Sequence, residues 1–124
     1  MLKNILLIDD EELVLKSLSR LLKAERYGVT LADSAAAALE KIKDTDFDLI
    51  ISDVRMPGTD GIETIKQIRT YLSHAHKQPV PEVLISGYAD ADKYEEANVL
   101  KVKGYLFKPF DNTELLRVVE KIFA

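Results

Sequence analysis

Five short apolar runs alternate along this 124-residue chain with five segments of helical periodicity. The runs predict strands because they are short and are bounded by polar, Gly or Pro residues. We expect strands at Asn4–Ile8, Val29–Ala32, Asp48–Asp53, Val83–Ser86 and Gly104–Phe107. Because continuous apolar strands alternating with helices are typical of parallel sheets that are covered on both faces, the pattern predicts an α/β fold.

Each apolar run is followed by a segment in which apolar residues recur at helical spacing. Right-handed crossovers then place helices on both faces of the sheet, giving a doubly wound (βα)5 arrangement. The last helix begins with a sequence close to a capping box, Asp111 followed three residues later by Glu114. The first predicted helix ends near Arg26, and the second begins after Asp33 or Ser34. The third begins near Gly61, the fourth spans about Asp90 to Leu100, and the fifth follows Asp111.

Composition excludes several classes of protein. A chain that is 47% hydrophobic and has this length fits one domain over residues 1–124 with one core. No apolar stretch approaches the roughly 18–20 residues of a membrane span, so membrane insertion is not expected. The absence of a signal-peptide layout and of cysteine suits the cytoplasm. The net charge of −4 argues against direct binding of nucleic acid.

Asp53 is the residue that most directly suggests a function. It ends the apolar run Leu49–Ser52, and the Met56-Pro57-Gly58 segment that follows cannot continue a strand. Open α/β sheets bind their ligands at the carboxyl ends of the strands. A carboxylate at that position is a hydrogen-bonding cap, a metal ligand or a nucleophile.

Polar residues end four of the five predicted strands, and in a parallel sheet these ends meet at one edge. Three carboxylates in one crevice repel one another, so a neutralising cation is expected. Hard oxygen ligands favour Mg²⁺. A lysine and a hydroxyl supply the positive charge and the donor that a transferred phosphoryl group needs. The set therefore predicts phosphoryl transfer onto an aspartate, and its members are Asp9, Asp10, Asp53, Ser86 and Lys108.

The spacing of these residues resembles the receiver domain of two-component response regulators, over essentially the whole chain. The segment from Asp53 to Gly61 closely matches the most recognisable motif of that family. The resemblance implies a flavodoxin-like, chemotaxis-regulator-like fold with strand order 2-1-3-4-5. It also implies phosphotransfer to Asp53 from a histidine kinase or a histidine phosphotransfer protein, with no activity beyond self-phosphorylation and autodephosphorylation.

The resemblance also assigns a role to each site residue. Asp10, Asp53 and the backbone carbonyl of Arg55 would bind Mg²⁺, and Asp9 would act mainly through a bridging water. Lys108 would contact the phosphoryl oxygens. Ser86 would move towards those oxygens on activation, and Tyr105 would act as the aromatic switch. The output would be the surface of the fourth helix, fifth strand and fifth helix, through which a homodimer or an unidentified downstream effector would bind.

Three further features follow from the comparison with that family. The Lys108-Pro109 peptide bond is expected to be cis, because this geometry turns Lys108 back over the site. Ser86 stands where threonine is commoner and keeps the hydroxyl. Arg55 and Tyr88 flank the site at positions that influence how long the phosphoryl group persists.

Other interpretations of the same residues stay open. Asp9 and Asp10 are also suited to cap the first helix, and Tyr105 is also suited to ordinary core packing. An aspartyl phosphatase of the haloacid-dehalogenase type needs a second acid where this chain has Arg55. A receiver that has lost its chemistry usually lacks the acidic pair, the acceptor or the lysine.

Residues from Tyr71 to Pro81 are predicted to form a polar connection that contains two histidines. His74 and His76 are conceivable metal ligands, but no third ligand lies near them in the sequence. The pattern assigns no function to this connection.

Overall fold

The five apolar runs form five parallel strands in the computed structural model, which describes residues 2–87 and 91–124. The strands are β1 (Asn4–Ile8), β2 (Gly28–Ala32), β3 (Leu49–Asp53), β4 (Glu82–Gly87) and β5 (Gly104–Lys108). Each strand lies within about one residue of its predicted bounds. The strand order is β2-β1-β3-β4-β5, which confirms the predicted fold class and topology.

Five helices follow the strands and cover both faces of the sheet. Alternate residues of β1 separate the core into two halves, because successive side chains of a strand point to opposite faces. The helices are α1 (Glu12–Ala24), α2 (Ala35–Asp44), α3 (Gly61–His74), α4 (Ala91–Leu100) and α5 (Asn112–Phe123). Ile5 and Leu7 pack with α1 and α5, whereas Leu6 and Ile8 pack with α2, α3 and α4.

The strand register brings the polar strand ends to a single edge of the sheet. Ile8 of β1 lies beside Ser52 of β3, and Asp53 lies beside Ile85 of β4. Gly87 of β4 lies beside Lys108 of β5. We refer to this side of the sheet as the carboxyl edge, and to the opposite side, where the strands begin, as the amino edge.

The predicted connection from Tyr71 to Pro81 is wrong at its start. Residues 71–74 form the last turn of α3, because Leu72 continues the buried stripe of this helix and Tyr71 packs against the same core. Polar neighbours of Leu72 obscure that periodicity in the sequence. The connection is therefore limited to residues 75–81.

The two helices that follow β3 and β4 differ in how firmly they are packed. α3 buries six of its residues, whereas Ala97 is the one buried residue of α4. The predicted capping box of α5 is confirmed, with Asp111 and Glu114 each accepting the backbone N–H of the other. In the described part of the chain, no helix is long and apolar enough to cross a membrane.

Candidate phosphoryl-transfer site

The carboxyl end of β1 supplies two carboxylates with different surroundings. Asp9 is buried, and its Oδ1 accepts the backbone N–H of Glu11 at 2.9 Å. Asp10 is exposed. Glu11 is the N-cap residue of α1, but its side chain makes no capping hydrogen bond. Asp9 therefore organises the turn into α1, while the side chain of Asp10 stays accessible.

Asp53 is buried at the end of β3, and the start of α3 packs tightly against it. A Cβ atom at Gly61 would collide with the backbone carbonyl of Asp53, so only glycine fits there. The N–H of Gly61 donates to the carbonyl of Val54 at 2.8 Å. Asp60 caps α3 by accepting the N–H of Glu63 at 2.9 Å. The Asp-Gly pair thus fixes the loop that follows Asp53.

The structure brings the three predicted carboxylates together. Oxygens of Asp9, Asp10 and Asp53 all lie within 4.8 Å of one another. Burial raises the pKa of Asp9 to about 6 and also raises the pKa of Asp53, because a buried carboxylate loses its hydration. The site is therefore short of positive charge, and its hard oxygen donors fit a divalent cation such as Mg²⁺.

Lys108 lies over Asp53 as the sequence predicts. Its Nζ is 3.1 Å from Asp53 Oδ1. Burial by itself would lower the pKa of Lys108, but the nearby carboxylates of Asp53, Asp9 and Glu11 together outweigh burial, so the pKa is raised and the amine stays charged at neutral pH. The Lys108-Pro109 bond is cis, which confirms that prediction. Among the described residues, one cation, that of Lys108, thus faces the three carboxylates.

Ser86 and Tyr105 are in direct contact. Ser86 is buried at the end of β4, and its Oγ lies 2.6 Å from the phenolic oxygen of Tyr105 and 3.2 Å from the carbonyl of Gly87, to which it donates. The family resemblance predicts that Ser86 moves towards the phosphoryl oxygens and that Tyr105 acts as the aromatic switch. The hydroxyl of Tyr105 already reaches Ser86 in this structure. Among the described residues, a Cβ atom at Gly87 would meet nothing within 4 Å.

Two contacts that the sequence does not reveal connect α4 to the site. The ring of Tyr94 stands edge-on to Tyr105, with 5.0 Å between ring centroids, and lies 5.4 Å from Phe107. Lys93 Nζ lies 3.0 Å from Oδ2 of Asp60. Both contacts join segments far apart in sequence, and no local pattern marks these residues as partners.

The remaining candidate positions lie elsewhere. Arg55 is in the exposed loop two residues after Asp53, and the role of its carbonyl as a ligand stays a prediction. Tyr88, and Asp90 at the predicted start of the fourth helix, lie outside the described residues. His74 ends α3 and His76 follows it at φ 57°, and within the described residues neither belongs to a cluster of three potential metal ligands.

Comparison with known proteins supports the arrangement. The family model described as "Response regulator receiver domain" matches residues 5–120. The transcriptional regulatory protein FixJ of Bradyrhizobium diazoefficiens is 37% identical over 117 residues, which cover 94% of this chain and 55% of that protein. ZraR of Escherichia coli is 35% identical over 98% of this chain and 26% of its own length. The chain thus spans about half, or less, of these relatives.

The fold has a close counterpart among solved structures. The chemotaxis protein CheY4 of Vibrio cholerae matches with a TM-score of 0.87 at 28% identity, over 98% of this chain and 99% of that chain. The fold comparison and the family model, which covers most of the chain, therefore point to the same family. The chain therefore belongs to the response regulator receiver domains of two-component systems, whose standard function is to be phosphorylated by a histidine kinase.

Proposed function

We propose that Asp53 is the residue of this domain that accepts the phosphoryl group. A carboxylate oxygen of Asp53 would attack the phosphorus of a phosphohistidine, forming the O–P bond as the P–N bond breaks, and the histidine nitrogen would leave with its electron pair and take up a proton. The observation that carries this proposal is the buried carboxylate of Asp53 with Lys108 at 3.1 Å and two further aspartates within 4.8 Å. Later attack by water would return the carboxylate, so the domain would catalyse only its own phosphorylation and dephosphorylation.

The same residues would hold Mg²⁺. Asp10 and Asp53 would ligate it directly together with the backbone carbonyl of Arg55, and Asp9 would act mainly through water. The raised pKa values of Asp9 and Asp53 support this assignment, because burial disfavours the charged carboxylates and a bound cation would favour them again. A bound Mg²⁺ supplies charge neutralisation for the phosphoryl oxygens. Lys108, with its Nζ 3.1 Å from Asp53 Oδ1, would contribute a second positive charge.

Ser86 and Tyr105 would transmit phosphorylation to α4. The hydroxyl of Ser86 donates to the carbonyl of Gly87 and would instead donate to a phosphoryl oxygen. The hydroxyl of Tyr105, 2.6 Å from Ser86 Oγ, could then donate to Ser86, so its ring would follow Ser86 and move against Tyr94 of α4. A hydrogen bond to a charged group contributes roughly 1.5–3 kcal/mol, which shifts a two-state population about tenfold to a hundredfold. The active form should then be partly populated without phosphate.

The output surface would be α4, β5 and α5. Because α4 buries only Ala97, it is the helix that moves at least cost. It also exposes Val99 and part of Tyr94, which are apolar groups available to a partner. We propose that this face binds a downstream effector or a second copy of the domain. Sedimentation velocity with and without a phosphoryl analogue would show whether the domain dimerises.

Phosphorylation of Asp53 can be tested directly with acetyl phosphate and Mg²⁺. The wild-type protein should gain one phosphoryl mass, and Asp53→Asn should gain none because the nucleophile is gone while the shape is kept. Asp33→Asn, at an exposed aspartate after β2, is the matched control and should label normally. A label that persists in Asp53→Asn would contradict the assignment. Steady turnover of acetyl phosphate without labelling would indicate a phosphatase. The absence of both labelling and turnover would indicate an inactive receiver.

Replacing Ser86 separates the switch from the chemistry. Ser86→Ala should still be phosphorylated at Asp53, but α4 amides should respond less to phosphorylation, because no hydroxyl connects the site to Tyr105. Ser19→Ala, at a buried serine of α1, is the control and should respond as wild type does. Chemical shifts of α4 amides provide the measurement. Equal responses in wild type and Ser86→Ala would rule out this coupling.

A further inference from the structure

A groove of about 1200 Å³ opens at the amino edge of the sheet, opposite Asp53. One wall is the end of α3 together with the connection 75–81, for which the sequence indicated no function. The other wall is the loop after α4 together with the end of α5. The groove thus extends beyond the proposed output surface to the end of α3 and the connection 75–81, which contribute no residue to the phosphorylation site.

The floor of the groove is mainly aliphatic, with Leu72, Val80, Val118 and Ile122 among its residues. Among the described residues that line it, the one carboxylate is that of Glu82, which is buried and already paired with Arg69 through two hydrogen bonds of 2.7 Å. The described part of the groove therefore offers apolar contact area and no unpaired acid.

Lysines surround this apolar floor. Lys77 pairs with Asp46 at 3.3 Å, but Lys101, Lys103 and Lys121 have no carboxylate within ion-pair distance in the described part of the chain. All three are exposed. This concentration of positive charge runs against the net charge of −4 of the whole chain. An uncompensated basic rim in an acidic protein favours an anionic partner.

We infer that this groove binds an acidic, amphipathic segment of a partner protein, with apolar side chains on the aliphatic floor and carboxylates at the three lysines. The volume exceeds the roughly 300–1000 Å³ of typical small-molecule pockets, which favours a polypeptide segment. Single-stranded nucleic acid binds by stacking its bases on aromatic rings, and this floor is aliphatic apart from Tyr105. Charge complementarity thus selects an acidic peptide. The groove shares Tyr105 and the end of α5 with the proposed output surface, but Asp53 and Lys108 do not line it, so its binding of a peptide does not require phosphorylation.

Selection from a random 12-residue peptide library displayed on phage, with the intact protein as bait, tests the inference. We expect enrichment of Asp and Glu together with apolar residues at helical spacing. The most enriched peptide is then synthesised and titrated by fluorescence anisotropy. The triple variant Lys101→Gln, Lys103→Gln, Lys121→Gln should weaken its binding at least tenfold. The matched triple Lys23→Gln, Lys41→Gln, Lys66→Gln has the same net charge and should bind within twofold of wild type.

A second variant excludes a loss of folding as the cause. Lys101 follows α4 with φ 58°, a conformation that glycine adopts at less cost than lysine. Lys101→Gly should therefore raise the melting temperature while it weakens peptide binding. Selected peptides that are not acidic, equal losses in the two triple variants, or groove-dependent binding of a 12-nucleotide single-stranded DNA in place of the peptide would each overturn the inference.

Discussion

Buried carboxylates occur at both edges of the sheet, and they are treated in opposite ways. At the amino edge, Glu82 is 4% exposed and receives two hydrogen bonds of 2.7 Å from the guanidinium of Arg69. At the carboxyl edge, Asp9 and Asp53 are equally buried but share one lysine. Burial raises the pKa of both aspartates. The negative charge at the amino edge is compensated by Arg69, whereas the negative charge at the carboxyl edge is only partly compensated by Lys108.

The difference separates a structural charge from a functional one. A bidentate Arg–carboxylate pair satisfies both partners and leaves little for an external ligand. Aspartates that stay ionised in a buried, underpaired cluster cost stability, which is typical of a site that awaits a cation or a reacting group. Changes at the two edges should therefore have opposite effects on stability and on phosphorylation.

The largest effect on stability is expected from Arg69→Met at the amino edge. This change leaves Glu82 buried without a partner and should destabilise the fold by about 3 kcal/mol. Urea denaturation measures this loss. Adding Glu82→Gln to Arg69→Met should recover most of the loss, because the uncompensated charge is gone. If the single variant costs less than about 1 kcal/mol, Glu82 is not held as we describe. Mg²⁺-dependent labelling of Asp53 should continue in the double variant.

Asp9→Asn should change the free energy of unfolding in the opposite direction, by stabilising the fold, and by a smaller amount than Arg69→Met. Because the pKa of Asp9 is about 6 in the folded protein and 3.8 in its ordinary state, its contribution to stability is complete below pH 3.8 and is lost as the pH rises through about 6. The shift corresponds to at most about 3 kcal/mol. Without divalent cations, Asp9→Asn should therefore be more stable than wild type by about 1–2 kcal/mol at pH 7.5.

The pH dependence provides the control for that variant. The advantage of Asp9→Asn should shrink towards pH 4, where the wild-type carboxyl group is protonated. Added Mg²⁺ should also reduce the advantage, since it binds the folded wild-type site and stabilises it. Paired denaturation curves at pH 4 and pH 7.5 make the comparison. An equal advantage at both pH values would show that ionisation of Asp9 is not the cause.

The smallest effect on stability is expected at Lys108. Lys108 makes one contact of 3.1 Å with Asp53, whereas Arg69 makes two of 2.7 Å with Glu82. Because glutamine also keeps a hydrogen-bond donor beside Asp53, Lys108→Gln should lower the free energy of unfolding by less than about 1 kcal/mol. Phosphoryl transfer and α4 signalling should nevertheless suffer, because the cation beside Asp53 is lost. Stopped-flow measurement of Asp53 phosphorylation and urea denaturation of Lys108→Gln would show this contrast with Arg69→Met. A large loss of stability would mean that Lys108 is mainly structural.

The sequence predicts the carboxyl edge better than the rest of the molecule for a physical reason. The carboxyl ends of parallel strands lie at one edge of the sheet, independently of how the helices pack. The strand pattern alone therefore suffices to place Asp9, Asp53, Ser86 and Lys108. The end of α3 was missed because polar residues around Leu72 mask the helical stripe. The basic groove and the Lys93–Asp60 contact were also missed, since they arise where distant segments pack and leave no local periodicity.

The most direct test of the account is amide hydrogen exchange of the wild-type domain with and without beryllofluoride and Mg²⁺. Occupation of the site at Asp53 should change exchange at Ser86, Tyr105 and α4, while the amides of Arg69 and Glu82 at the amino edge stay unchanged. Asp53→Asn should show none of these changes. A response that is absent from α4, that is equal at both edges, or that persists in Asp53→Asn would contradict the account.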